Sequence, residues 1–315
     1  MKSKKIVVML AAVTAFVSMA VPAAARAAAA ELHVLATTFP IYQIVRNVTR
    51  GRDGLQVSLM LPARMGCPHD YALNPQDMQK LAAAAILVIN GLGLEAFAGT
   101  PVQKANPRIT VIDSSAGIGD ILYDRDARGH ARAHAEEENR GSPNPHLFAG
   151  PRMHARIAQN IAAGLSRADP DGAAVYASNA RSYAETITRL ADDMAALGRR
   201  LRNNRIVQPH GVFDYLARDM GLKIVAVMQY HGQEPPAAAM VSLVKTIRER
   251  RPGAVFTEPQ YPEKIGRTLS QETGVPFAML DPAATGPEDA PLDYYEKLMR
   301  GNMLTIEQTL GARQP

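Results

Sequence analysis

The stretch LNPQDMQKLAAAAILVIN, Leu73–Asn90, holds the alternation on which the fold turns. Asn74 can cap a helix, Pro75 suits the first helical position and Asp77 supports the first turn. The amphipathic run then gives way to AILVIN (Ala85–Asn90), a short apolar segment that reads as a buried strand. Upstream, LHVLATT (Leu32–Thr38) and LQVSLML (Leu55–Leu61) have the same strand character, with the helical IYQIVRNVTRG between them; ITVID (Ile109–Asp113) follows downstream. Strand and helix in turn argue for a parallel sheet flanked by helices.

From Tyr123 to Ser142 the pattern stops. YDRDARGHARAHAEEENRGS is charged and nearly free of large apolar side chains, so residues 123–142 read as an exposed, mobile loop. A helix is expected over PRMHARIAQNIAAGL (Pro151–Leu165), then a longer one over 171–201. Thirty helical residues would span ~45 Å, more than one small domain needs, so this segment reads as a linking helix. Beyond it the alternation resumes, with strands expected at RIVQ (Arg205–Gln208), KIVAVM (Lys223–Met228), AVFTE (Ala254–Glu258) and FAMLD (Phe277–Asp281). The expected fold class is α/β: two lobes, each a mostly parallel sheet flanked by helices, joined by one long rigid helix. The lobes take residues 28–170 and 202–315.

The first residues address the compartment. MKSKK is a cationic start, IVVMLAAVTAFVSMAV an apolar run and AAARAAAA a set of small-residue cleavage sites, so residues 1–27 read as a cleavable secretory signal peptide. The apolar run is short of the ~20 residues that a bilayer span requires. With Lys2, Lys4, Lys5 and Arg26 removed, the formal charge falls from +5 to +1, which gives no reason to expect nucleic acid as a partner. Cys67 is the single cysteine; it excludes an internal disulfide, and no cysteine lies near the cleavage site to carry a lipid. A soluble, monomeric protein of the periplasm, without a lipid anchor, is expected.

Three of the eight histidines follow a proline: Pro68-His69, Pro145-His146 and Pro209-His210. Chance gives roughly half of one such pair in this composition. His69 and His210 lie just after expected strands, and His146 just before an expected helix. Asp281 ends a strand and precedes Pro282. In open α/β sheets the ligand crevice lies beyond the carboxyl ends of the strands, so the four side chains can meet between the lobes. Three imidazoles and a carboxylate suit a divalent cation such as zinc, and the prolines reduce the entropy lost on binding. Structural histidines, each satisfied by its own hydrogen bonds, are the competing reading, because no short metal motif such as H-E-x-x-H or C-x-x-C is present.

Several long segments resemble a known family. These are LATTFPIYQIVRNV, MGCPHDYALNPQDMQKLAAAAILVINGLGLE, NPHLFAGPRMHARIAQNIAAGL, PHGVFDYLARDMGL, QEPPAAAMVSLVKTIRERRPGAVFTEPQY and ETGVPFAMLDP. They are similar to the metal-specific periplasmic solute-binding proteins, the ZnuA/TroA-type zinc- and manganese-binding components of ABC importers. The resemblance runs in order over essentially the whole chain after the leader. It implies a two-lobed binding protein that delivers metal to an inner-membrane ABC permease, with a periplasmic metallochaperone as a further partner to consider. It also implies metal ligands at His69, His146, His210 and Asp281.

Members with a glutamate at the third position go with manganese; His210 supplies a third nitrogen and favours Zn2+, with Mn2+ or iron the alternative. Glu258 and His231 are expected beside the ligands, Glu258 orienting a ligand imidazole. His130 and His134 mark a weak metal-collecting loop at most, since the loop reads first as a solvated charged segment. A periplasmic zinc hydrolase with Glu258 as base is the rival from another class, but four protein ligands would close the site to water, so no enzyme activity is expected. NGLGLE (Asn90–Glu95) lacks the third glycine of a phosphate-binding turn and reads as a plain turn. His33 and His154 read as packing or surface residues.

Overall fold

The computed structural model describes residues 31–66, 68, 71–124, 141–228 and 235–311. The leader expected at 1–27 lies outside them, as do His69, His130, His134 and His231. The first lobe runs β1 (Leu32–Ala36), α1 (Phe39–Thr49), β2 (Leu55–Leu59), α2 (Pro75–Ala83), β3 (Ile86–Ile89), α3 (Thr100–Ala105) and β4 (Thr110–Asp113). All pairs are parallel, in the order β2-β1-β3-β4. The cap read at Asn74 forms reciprocally: its Oδ1 accepts from Gln76 N at 2.8 Å and Asp77 N at 3.1 Å, while Asp77 Oδ2 accepts from Asn74 N at 2.9 Å.

Two short strands, β5 (Tyr123–Asp124) and β6 (Ser142–Pro143), pair antiparallel. They correct the expectation of a loop across all of 123–142: its two ends are tied by ladder bonds, and residues 125–140 lie outside the described set. Then come α4 (Pro151–Ala168) and α5 (Ala173–Arg200). The second lobe follows as β7 (Arg205–Gln208), α6 (Asp214–Met220), β8 (Lys223–Val227), α7 (Ala237–Arg250), β9 (Ala254–Thr257), α8 (Lys264–Thr273) and β10 (Phe277–Met279), closing with α9 (Tyr294–Leu310). Its parallel sheet has the order β10-β9-β7-β8. Among the described residues no helix is long and apolar enough to cross a membrane.

Strand residues alternate between two faces, and the core follows that alternation. Val34, Ala36, Ile86 and Val88 of the first lobe, and Ile206, Ala254 and Phe256 of the second, point to one continuous apolar cluster. The α5 side chains Tyr176, Ile187, Leu190 and Met194 run through its middle. The intervening Leu35 and Leu87 face a separate cluster under α2, and Val207 and Val255 another under α7 and α8. The linking helix is thus shared core as well as connection. It lies so close to α6 that a Cβ at Gly198 would sit 1.8 Å from the Met220 carbonyl oxygen.

His154 of α4 joins this seam. Its Nδ1 is 3.0 Å from the Phe148 carbonyl, its Nε2 2.9 Å from the Tyr183 hydroxyl, and its ring stacks on Tyr295 of α9 at 3.6 Å between centroids. A carbonyl only accepts, so Nδ1 carries the proton and Nε2 accepts from Tyr183. Burial lowers the pKa of this ring to about 4, opposed in part by the Phe148 carbonyl.

Two outcomes follow from this packing. Gly198→Ala, which on an open helix would gain up to about 1 kcal/mol, is expected to lose about 1–3 kcal/mol in denaturant unfolding because backbone must move. For His154, the folded pKa lies below the unfolded value of ~6.5, so the unfolded chain binds the extra proton first. Its contribution is complete above pH ~6.5 and is lost as pH falls towards 4, on the order of 3 kcal/mol in total. His154→Phe, which keeps the stack but cannot titrate, is expected to flatten the melting temperature across that window.

Candidate metal centre

In each sheet the strand order reverses once: between β1 and β3 in the first lobe, and between β7 and β9 in the second. Crevices open at the carboxyl ends of such strand pairs. In the second lobe β7 leads directly into Pro209-His210, and β9 directly into Glu258. Both side chains are buried, and His210 Nδ1 approaches Glu258 Oε1 to 3.0 Å. The approach is that of a hydrogen bond, without its full alignment. The Tyr261 ring meets the His210 imidazole edge-on at 6.4 Å between centroids.

His146 reaches the same place from the first lobe. It sits after β6 and before a short 3-10 turn, Leu147–Ala149, with its ring 5.0 Å from that of His210 and inclined by 76°. Asn144, two residues earlier, fixes its orientation. Asn144 Nδ2 donates to the Gly211 carbonyl at 2.7 Å and to Asp214 Oδ2 at 2.9 Å, both in the second lobe. Its Oδ1 must therefore be the acceptor, and it receives His146 N at 2.9 Å and His146 Nδ1 at 2.8 Å. The proton is on Nδ1, and the lone pair of the imidazole is on Nε2, the tautomer that a metal ligand requires. Asp214 is held in turn by Gln208 Nε2 at 2.6 Å.

Asp281 follows β10 and Leu280. Its backbone is clamped by Asn302 of α9, which accepts from Asp281 N at 3.0 Å and donates to Asp281 O at 2.8 Å. Its Oδ1 accepts from Ala283 N at 2.8 Å, with Ala283 in the left-handed region at φ 63°. Burial raises the Asp281 carboxyl above the usual range; the Ala283 amide opposes this, the charge of Glu258 adds to it, and Gln260 pulls it back.

Of the expected residues, His146 and His210 lie ring beside ring, His210 approaches Glu258, and Asp281 lies within electrostatic reach of Glu258. Among the described residues no three His, Cys, Asp or Glu side chains stand together as a metal-holding group. Asn144, Asp214 and Gln208 were not foreseen. Asn144 is visible only as an Asn two residues before a candidate ligand, where its side chain can fold back on the following backbone.

A profile describing ZnuA, the periplasmic component A of a zinc-uptake complex, matches residues 34–309. The chain belongs to this family. Zinc-binding protein AdcA of Streptococcus pyogenes serotype M3 is 26% identical over 321 residues, covering 97% of this chain and 61% of that protein. This chain thus spans about three fifths of the length of the AdcA relatives. High-affinity zinc uptake system protein ZnuA of Bacillus subtilis is 23% identical over 285 residues, covering 89% and 88% of the two chains. Among solved structures, the solute-binding protein FpvC of Pseudomonas aeruginosa, in complex with Mn2+, superposes with a TM-score of 0.75 at 26% identity, over 89% of this chain and 98% of that one. FpvC has also been solved with Ni2+. The ZnuA family is one of binding components for metal uptake and not of enzymes.

The Asn144 geometry gives a spectroscopic outcome. In the metal-free protein, long-range 1H–15N correlation is expected to show His146 as the Nδ1–H tautomer. In Asn144→Ala, the same ring is expected to show a mixture of tautomers, and the protein should lose about 1–3 kcal/mol of stability as Asp214 gives up a buried donor.

Proposed function

We propose that this chain is the Zn2+-capturing component of an ABC-type metal importer, holding the ion between its lobes and passing it to an inner-membrane permease. It works in the periplasm, exported by the leader at 1–27 and carrying no lipid anchor, as a monomer. The lobes at 28–170 and 202–315 are bridged by 171–201. The ligands are His69, His146, His210 and Asp281, with Glu258 orienting His210 and His231 nearby; His130 and His134 contribute at most a weak collecting site.

The observation that carries this reading is the pair of imidazoles, His146 and His210, brought 5.0 Å apart from opposite lobes with each Nδ1 facing an oxygen of its own. Metal-bound histidines have this outer partner as a rule, since it fixes the tautomer and strengthens the ligand nitrogen. Asp281 supports it as well: a carboxylate that burial and a neighbouring carboxylate both disfavour gains most from a cation. Nitrogen-rich donors favour zinc over the harder manganese, though FpvC with Mn2+ and Ni2+ keeps a manganese carrier as the second reading.

A chelator-competed titration of the leaderless protein is expected to give one tight zinc equivalent that outcompetes manganese. His69→Ala, His210→Ala and Asp281→Ala should each weaken it. Zinc must displace protons from imidazoles, so affinity should fall between pH 7.5 and 5.5. Tight binding untouched by these substitutions would overturn the ligand set; preferential manganese binding would move the reading to the second cargo.

A further inference from the structure

We propose that Asn90 and Glu95 are positioning residues for metal capture: Glu95 sets the turn after β3 so that the Asn90 carboxamide pins the Pro145 carbonyl, and with it the His146 ring. The proposal rests on His146 being a metal ligand.

The switch point of the first sheet lies between the ends of β1 and β3, at Thr37 and Asn90. In a doubly wound sheet a ligand sits there, an anion in many cases, against the amides of a glycine-rich turn. Here the protein supplies the anion itself. Glu95 is buried, and its Oε1 accepts from the Thr37 hydroxyl at 2.6 Å and from Asn90 N at 2.7 Å; its Oε2 accepts from Gly91 N at 3.1 Å. The turn tolerates no larger residue at Gly91, where φ is +86° and a Cβ would lie 2.0 Å from Asp113 Oδ1. NGLGLE thus does more than the plain turn read from the sequence.

The turn in turn holds Asn90, which is fully buried. Its carbonyl accepts from the Ser114 hydroxyl at 3.0 Å, and its Nδ2 donates to Gly91 O at 3.0 Å and Pro145 O at 2.9 Å. The tripeptide Asn144-Pro145-His146 is therefore held from both lobes, and the Asn144 backbone is bonded as well, its N donating to Leu122 O at 2.8 Å and its O accepting from the Tyr215 hydroxyl at 2.8 Å. Asn144 is fastened to the second lobe through Gly211 and Asp214, and Pro145 to the first through Asn90. Pro145 has no N–H, so its carbonyl is the one backbone hydrogen-bonding group that it offers. With that anchor gone, the segment is held at Asn144 and no longer at Pro145, and the His146 ring shifts from its place 5.0 Å from that of His210.

Glu95→Gln separates charge and donor pattern from size. Asn90 N faces one carboxylate oxygen and Gly91 N the other, and a backbone N–H only donates. An amide nitrogen in either place meets a donor, so the isosteric change disrupts the turn without altering its volume. Asn90→Ala removes the contact to Pro145 directly.

Zinc affinity is measured by chelator competition for the native protein, Asn90→Ala, Glu95→Gln, His146→Ala and Asn90→Ala/His146→Ala, with far-UV circular dichroism to confirm folding. The expected result is one zinc equivalent bound roughly 10–100-fold more weakly by Asn90→Ala and Glu95→Gln, the range seen when the outer partner of a metal ligand is removed. The cobalt(II) d–d spectrum of both variants should change in the same sense as that of His146→Ala. Asn90→Ala should have no further effect once His146 is gone, because its action passes through that ring. Native-like affinity in Asn90→Ala would overturn the proposal, as would an equal loss with and without His146. If Glu95→Gln does not fold, Asn90→Ala and the double variant decide. If His146→Ala binds zinc as the native protein does, the ligand reading itself fails, a result distinct from failure of the positioning pair alone.

Discussion

The carboxamide of Asn144 cannot turn over, and much of the crevice takes its geometry from that fact. Two acceptors in the second lobe claim its nitrogen, and two donors of His146 claim its oxygen. Turning the amide would set donor against donor and acceptor against acceptor in a buried place, where each unmet group costs about 1–3 kcal/mol. One side chain therefore sets the tautomer of a ring in one lobe while gripping the loop that carries His210 in the other. The bond to Asp214 involves a charged acceptor and is the stronger kind.

Around that joint the two sheets repeat one plan with different occupants. Each reverses its strand order once, and each places polar groups at the ends of the two strands that flank the reversal. In the second lobe those groups are His210 and Glu258, which approach one another, and the His210 ring lies 5.0 Å from that of His146 in the first lobe. In the first they are Thr37 and Asn90, which turn inward onto Glu95. Burial pushes the Glu95 carboxyl above its usual range while Thr37 and the turn amides draw it back, as expected of a carboxylate serving as internal scaffold.

Much of this was legible in the sequence. Strand and helix positions followed from short apolar runs and from the cap at Asn74, where local chemistry and tertiary structure agree. The long helix was expected over 171–201 and spans Ala173–Arg200. The carboxyl-end rule grouped His69, His146, His210 and Asp281; of these, His146 and His210 lie with their rings 5.0 Å apart, with Glu258 beside His210. Three things were not legible. The strand pair β5–β6 closes a segment whose composition argued only for solvent. The closing helix α9 went unread, although its Tyr295 and Asn302 pack His154 and clamp Asp281. The roles of Asn90, Glu95 and Asn144 depend on partners 55 to 70 residues away, such as Pro145 and Asp214, which no local pattern encodes.

The continuous apolar cluster through α5 has a consequence for how the molecule comes apart. Side chains from both sheets bury their inner faces against the same helix, so neither lobe has a complete interior without it. Loosening either lobe strips cover from the other, and partial opening exposes apolar surface on both. The energetic boundary of the molecule does not follow the division into two sheets. Loss of structure should be all-or-none, with few half-open forms presented to proteases.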